Sequence, residues 1–249
     1  MNDTQRSPRP GPEERPELTE DDLYYGRLPW EPTEDDLPYE DGRPMESELH
    51  FWLMTLLIET LRLFWRDRPR GYVAGDMFIY FSRDELLTRD FRGPDVFVVK
   101  NGTRRLRKSW VVWREGGGPN VVIELLSPAT ARDDRTVKKQ VYQDELRVPE
   151  YFWYDPDTGD LTGFRLGAGG YQPISPDSEG RLRSGNWTCY SCAGRVYQGN
   201  EATWLRWATP DGVLLPTDAE AREAAQHQAD AAAAREIAEL RARLSRYEG

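Results

Sequence analysis

Apolar positions change period several times along the chain, and each change marks an element. Between Glu46 and Trp65, Leu49, Leu53, Met54, Leu56, Leu57, Leu61 and Phe64 recur at helical spacing, giving an apolar surface broad enough for a buried helix. The segments Gly71–Ala74, Met77–Phe81, Val96–Val99, Trp110–Trp113 and Val121–Leu126 are short, apolar and β-rich, and read as strands. Helical spacing returns from Asp133 to Leu146, and Tyr151–Tyr154 reads as a strand. Leu161–Leu166 and Tyr171–Ile174 form a meander about the turn Gly167-Ala168-Gly169-Gly170. Helix, strands, helix, strands predicts an α/β or α+β domain around one mixed sheet.

Both ends depart from this pattern. Residues 1–44 are rich in Pro, Glu and Asp without a sustained apolar period, so an arm that is largely disordered or draped on the body is expected. Within it Thr19-Glu20-Asp21-Asp22-Leu23 recurs as Thr33-Glu34-Asp35-Asp36-Leu37, a pair of acidic turns able to dock a protein partner or simply to stay solvated. From Thr217 the composition turns to Ala, Glu, Arg and Gln, and predicts helix. There Ile237, Leu240, Leu244 and Tyr247 step by three, four and three, a seam of less than two heptads that allows weak self-association as a homodimer. The chain thus divides into an acidic arm (1–44), a folded domain (45–200), a linker (201–216) and a helical tail (217–249).

Charge narrows the options only slightly. The formal net charge is -10, but residues 1–44 hold 13 acids and 5 bases, so the body is near neutral. A phosphate-bearing substrate is neither demanded nor excluded. No run of about 18 apolar residues could cross a membrane. The start MNDTQRSPRPGPEERPE lacks an apolar signal core, so a cytoplasmic location is expected. Cys189 and Cys192 read as reduced thiols in a strand region, because only His50 and His227 are left to complete a zinc site. No G-x-S-x-G, P-loop or G-x-G-x-x-G motif appears, and Gly116-Gly117-Gly118 precedes a strand and reads as a turn.

The candidate chemistry lies in two acids and a lysine. Asp95 follows Pro94 at the start of an apolar strand, where it either presents a carboxylate at the sheet edge or caps a turn. Glu124 shares the face of Val122 and Leu126 inside an apolar strand, where a carboxylate needs a partner. Asp134, Lys138 and Tyr142 are spaced i, i+4, i+8 on one face of the next helix; by themselves they would pass for an ordinary surface pair. Lys139 is about 100° further round and should face elsewhere. Glu46 and His50, also four apart, are candidate outer metal ligands or DNA-orienting groups, with a helix-start acid and a core histidine as the plainer readings. The loop Lys100–Lys108 has five cations and no acid, suited to gripping a phosphate backbone beside the site or to standing as a solvated hairpin.

Several of these segments together resemble the Uma family of putative restriction endonucleases, within the PD-(D/E)XK nuclease superfamily. The matching residues are Leu37–Gly42 with Glu46 and His50, Pro94-Asp95-Val96, Val122–Thr130, Asp134, Lys138 and Tyr142, and Val148–Pro156. The resemblance spans roughly residues 37–200. It implies a restriction-endonuclease-like fold, a central mixed β-sheet flanked by helices. It also implies a metal-dependent endonuclease acting on DNA, with Mg²⁺ or Mn²⁺ held by Asp95, Glu124 and the backbone carbonyl of Leu125. The superfamily lysine would follow the glutamate by two residues, where this chain has Leu126; the Uma-like pattern moves it to Lys138. Asp134 and Tyr142 would then position Lys138. The competing expectation is a non-catalytic binding or scaffolding protein that keeps the fold and acts through its arm and tail.

Overall fold

The computed structural model describes residues 16–20, 28–39, 46–67, 71–82, 91–185 and 187–245. Helix α1 (Glu48–Phe64) starts where the Ser47 hydroxyl accepts the His50 amide, an N-cap that satisfies a donor with no intrahelical partner. Its buried face carries His50, Leu53, Leu56, Leu57, Thr60 and Leu61. The central sheet has six strands: β1 (Tyr72–Ala74), β4 (Val96–Val99), β6 (Val121–Leu125), β7 (Glu150–Tyr154), β8 (Leu161–Gly167) and β9 (Gly170–Pro173), neighbouring in that order. Only β6 and β7 run parallel; the other pairs are antiparallel. Two three-stranded sheets flank it. One joins β2 (Ile79–Tyr80), β3 (Phe91–Arg92) and β5 (Trp110–Val111); the other joins β10 (Leu182–Ser184), β11 (Trp187–Tyr197) and β12 (Asn200–Ala208).

Strand alternation puts a separate apolar layer on each face of the central sheet. Val73, Val96, Val98, Val121, Ile123 and Phe152 pack against α1 and against Trp204, Leu205 and Trp207 of β12. On the other face, Phe97, Val122, Tyr151 and Phe164 pack against Tyr142, Val148, Ile79 and Trp110. The mixed sheet flanked by helices expected from the sequence is therefore present, and β6 is covered on both faces as its apolar run demands.

The crossover from β6 to β7 carries a composite helix: α3 (Ala131–Asp133), a π-helical turn (Asp134–Lys138) and α4 (Lys139–Asp144). The segment 110–113 is only half strand. After Val111 the chain enters a helical turn, α2 (Val112–Glu115), that ends at Gly116 with φ of 78°, a conformation glycine adopts without steric cost. The run Gly116-Gly117-Gly118 is thus a turn, as its place before a strand implies.

Residues 201–216 are not a linker. Their first half belongs to β12, and Trp204, Leu205, Trp207 and Leu215 are core. The strand is half of a long hairpin with β11, and its apolar pattern is masked by Arg206, a cation buried among them. Helix α5 (Asp218–Ser245) follows as expected; Tyr247 of the apolar seam lies outside the described residues.

Residues 28–39 of the arm are draped on the body. Leu28, Trp30 and Leu37 form a third apolar cluster with Phe78, Tyr80 and Val111. In the second acidic echo the Thr33 amide and hydroxyl both bond Asp36, closing a turn that leaves Leu37 buried. Apart from residues 16–20, the rest of the arm, including the disorder expected there and Glu40-Asp41-Gly42, lies outside the described residues.

The basic loop is placed differently from its expected position. It leaves β4 at Val99, whereas Asp95 stands at the other end of that strand, about 13 Å away at strand rise. Four of its cations have internal partners. Arg105 bridges Glu34 and Glu115, Lys108 pairs with Asp35, and Arg104 donates to the Trp65 and Arg66 carbonyls. The buried Arg107 guanidinium forks onto Glu115 and lies over Tyr72 and Trp110. The loop is a clamp between arm and body, not a backbone grip beside the acids.

Candidate active site

The register Val96↔Ile123 between β4 and β6 sets Asp95, one residue before β4, beside the C-terminal end of β6. The Leu125 N–H donates to Asp95 Oδ2 at 2.6 Å, which ties the acid to the strand that carries Glu124. From α1, His50 Nε2 reaches Asp95 Oδ1 at 3.0 Å, and His50 Nδ1 faces Glu46 Oε2 at 3.4 Å. Gly75 makes room for this packing, because a Cβ there would strike the Asp95 carbonyl oxygen.

Glu124 has no exposed surface. Both its oxygens take donors from the helix above: Tyr142 Oη donates to Oε1 at 2.8 Å, and Lys138 Nζ lies 3.1 Å from Oε2. Lys138 Nζ also lies 2.8 Å from Asp134 Oδ1. Asp134 and Lys138 bound the π-helical turn, and the Tyr151 hydroxyl, donating to the Asp134 carbonyl at 2.7 Å, pins that turn to β7. A mid-helix π turn frees a carbonyl from the regular ladder, and here a sheet side chain occupies it.

The cluster is short of positive charge. Glu46, Asp95, Glu124 and Asp134 surround one lysine and one histidine. Burial is the main force raising the Glu124 carboxyl, with Asp95 and Asp134 adding to it; Lys138 and Tyr142 oppose, and the net value is about 8. Asp134 is raised for the same first reason, burial. Burial works against the Lys138 charge, yet Glu124, Asp134 and Asp95 outweigh it and hold the ammonium well above its usual range. Burial likewise opposes a charged His50, but the hydrogen bond and charge of Asp95, with Glu46 and Asp134, leave its pKa raised.

The seven side chains singled out in the sequence fall into two hydrogen-bonded groups, Glu46–His50–Asp95 and Asp134–Lys138–Glu124–Tyr142, joined through the Leu125 amide of β6. Lys139 faces elsewhere as expected, over the rings of Phe164 and Trp153. Tyr151 was not foreseen as part of the site, because its strand reads simply as apolar and aromatic. Among the described residues no three His, Cys, Asp or Glu side chains converge as a metal-holding group. The chemistry of the donor set nevertheless suits a hard cation: clustered carboxylate oxygens in excess over positive charge, with Glu124 and Asp134 both driven toward protonation.

Residues 23–187 match the model of the Uma2 family, described as "Putative restriction endonuclease". The match covers more than half of the chain, and the chain belongs to this family. Among solved structures it is similar to the crystal structure of a putative nuclease belonging to DUF820 from Anabaena variabilis, at 15% identity and a TM-score of 0.41, over 59% of this chain and 87% of that one. No curated protein matches. No helix among the described residues is long and apolar enough to cross a membrane.

Proposed function

We propose that this member of the Uma2 family is a divalent-metal-dependent endonuclease that hydrolyses DNA phosphodiester bonds at the Asp95–Glu124–Lys138 cluster. The observation that carries the reading is the half-buried ammonium of Lys138 between Glu124 and Asp134, beside Asp95, with more carboxylates than cations. Asp95, Glu124 and the carbonyl of Leu125 are the groups that would hold Mg²⁺ or Mn²⁺. When bound, the ion supplies a water of lowered pKa and polarises a phosphoryl oxygen.

The rest is done by the chain's own groups. Lys138, kept charged by its acids, stabilises negative charge growing on the phosphate or orients the attacking water. Asp134 holds the ammonium in place, and Tyr142 fixes the second Glu124 oxygen. His50 and the Leu125 amide fix Asp95.

One observation favours the second reading, a non-catalytic binding protein on a nuclease fold: both oxygens of Asp95 and of Glu124 already have protein partners. Cleavage of single- and double-stranded DNA with Mg²⁺ or Mn²⁺, in wild type, Asp95→Ala and Lys138→Ala, separates the two. The nuclease reading expects metal-dependent cleavage that both substitutions abolish. Activity surviving in both variants would sink the site assignment, and a wild type inert with either metal favours the binding protein. Metal-induced thermal stabilisation that persists in Glu124→Ala would place the ion elsewhere.

A further inference from the structure

Helix α5 is 28 residues long, roughly 42 Å at helical rise, and only its root is packed on the body. There the buried Arg206 pairs with Glu220, and Thr217 Oγ1 accepts the Glu220 amide. From Arg222 to Leu244 every residue is exposed. Most of this length is Ala, Glu, Gln and Arg, which suits a solvated helix. The last third does not: Ile237, Leu240 and Leu244 are 50%, 54% and 60% exposed on one stripe. An isolated helix gains little stability of its own in water, so an apolar stripe on a projecting helix is most useful when a partner covers it.

We propose that this stripe is covered by the same stripe of a second copy of the chain, in a parallel two-stranded coiled coil. The occupant is argued from charge. With Ile237 and Leu244 at a and Leu240 at d, Glu236 falls at g and Arg241 at the following e, the pair that meets across a parallel interface. An antiparallel pairing that matches Leu240 with Leu244 sets Arg241 against Arg241 and Arg243 against Arg243. Glu236 and Arg241 also have no oppositely charged residue three or four positions away on their own helix, whereas Glu239 has Arg235 and Arg243. Both are charges that a parallel partner would match. The seam is short, so the dimer is weak and forms with rising concentration. The inference does not depend on the nuclease reading.

Sedimentation equilibrium of the full chain tests it. The expected result is a mass that rises from one chain toward two as concentration increases. Leu240→Glu should leave a monomer, with the body's thermal transition unchanged because the residue is exposed. Glu236→Arg and Arg241→Glu should each raise the dimer dissociation constant tenfold or more, and the double variant should return it to within about threefold of wild type, as paired e and g charges require. A monomer at every concentration, or a dimer indifferent to Leu240→Glu, overturns the proposal. Failure of the double variant to recover overturns the parallel arrangement.

Discussion

Lys138 and Glu124 meet across the boundary between helix and sheet, with 3.1 Å between the ammonium nitrogen and a carboxylate oxygen of a residue that has no exposed surface. Removing one partner of such a pair leaves the other buried and uncompensated. Lys138→Met should therefore cost about 3 kcal/mol of unfolding free energy at pH 8.5. At pH 6 the cost should be smaller, because burial already favours the protonated Glu124 carboxyl there, and a neutral carboxyl needs no cationic partner. Urea titrations at the two pH values measure it, and Glu124→Gln on the Lys138→Met background should recover part of the loss.

The raised Glu124 carboxyl has its own signature in the wild type. Its unfolded value lies near 4.5 and its folded value near 8, so between those limits the folded chain binds more protons than the unfolded one. The contribution is complete below about pH 4.5 and is lost as pH rises toward 8, at no more than about 1.4 kcal/mol per pH unit. The raised His50 acts in the same direction above its usual value of 6.5. Urea midpoints should fall from pH 5 to pH 8, and Glu124→Gln should flatten the slope. A wild-type profile as flat as that of the variant would mean that Glu124 is charged throughout.

His50 acts on the site through Asp95. Its imidazole fixes Oδ1, while the Leu125 amide fixes Oδ2. Under the metal-dependent reading, His50→Ala should weaken metal binding 10- to 100-fold, the usual size for loss of a group that orients a ligand. The check is the Mn²⁺ concentration needed for half-maximal thermal stabilisation, which reads binding without relying on turnover. An unchanged midpoint would remove His50 from the site.

The acids and the lysine were legible because chemistry and pattern disagreed at them. A glutamate inside Val-Val-Ile-Glu-Leu-Leu needs a partner, and Asp134, Lys138 and Tyr142 share a helix face whatever the details of the turn. The partner itself was less visible, since helix spacing says which residues align but not what they face. The π turn and the Tyr151 hydroxyl that pins it left no trace, because both depend on how the crossover settles on β7. The basic loop misled for a related reason. Five cations read as a surface for phosphate, but Glu34, Asp35 and Glu115 reach three of them, Arg105, Arg107 and Lys108, from segments distant in sequence or across a turn. Arg206 hid β12 in the same way: a charge in a strand suggests solvent until its partner, Glu220, is known.

Arg107 shows how much of the basic loop is structural. Its guanidinium is buried, bonds both oxygens of Glu115 and lies 4.6 Å from the Tyr72 ring centroid and 4.8 Å from that of Trp110. Lysine has neither the fork nor the flat face, so Arg107→Lys is not conservative. It should cost about 2 kcal/mol by chemical denaturation, and Arg107→Ala about 3 or more, because Glu115 is then left with Arg105 alone. Arg105→Ala, at a half-exposed position, should cost under about 1 kcal/mol. Equal effects at the two positions would mean that the loop is no clamp.

The tail divides at a point the sequence does not mark. Composition alone suggests that 217–249 could be removed without harm. Arg206, however, is 4% exposed and draws on that segment, bonding Glu220 directly and the Leu215 carbonyl next to it. The same contact holds the Glu220 carboxyl low: burial pushes it up, and the hydrogen bond to Arg206 with those from Thr217 more than reverse this. A chain ending at residue 216 loses Glu220 and leaves a buried guanidinium beside Trp204 and Trp207, at a cost of about 3 kcal/mol. A chain ending at residue 229 keeps the pair and gives up only exposed helix, so its body should melt within a degree or two of the full length, as small losses of this kind imply. Calorimetry on the two truncations distinguishes them. If both melt alike, Arg206 finds its compensation elsewhere, and the root of α5 is not part of the folded body.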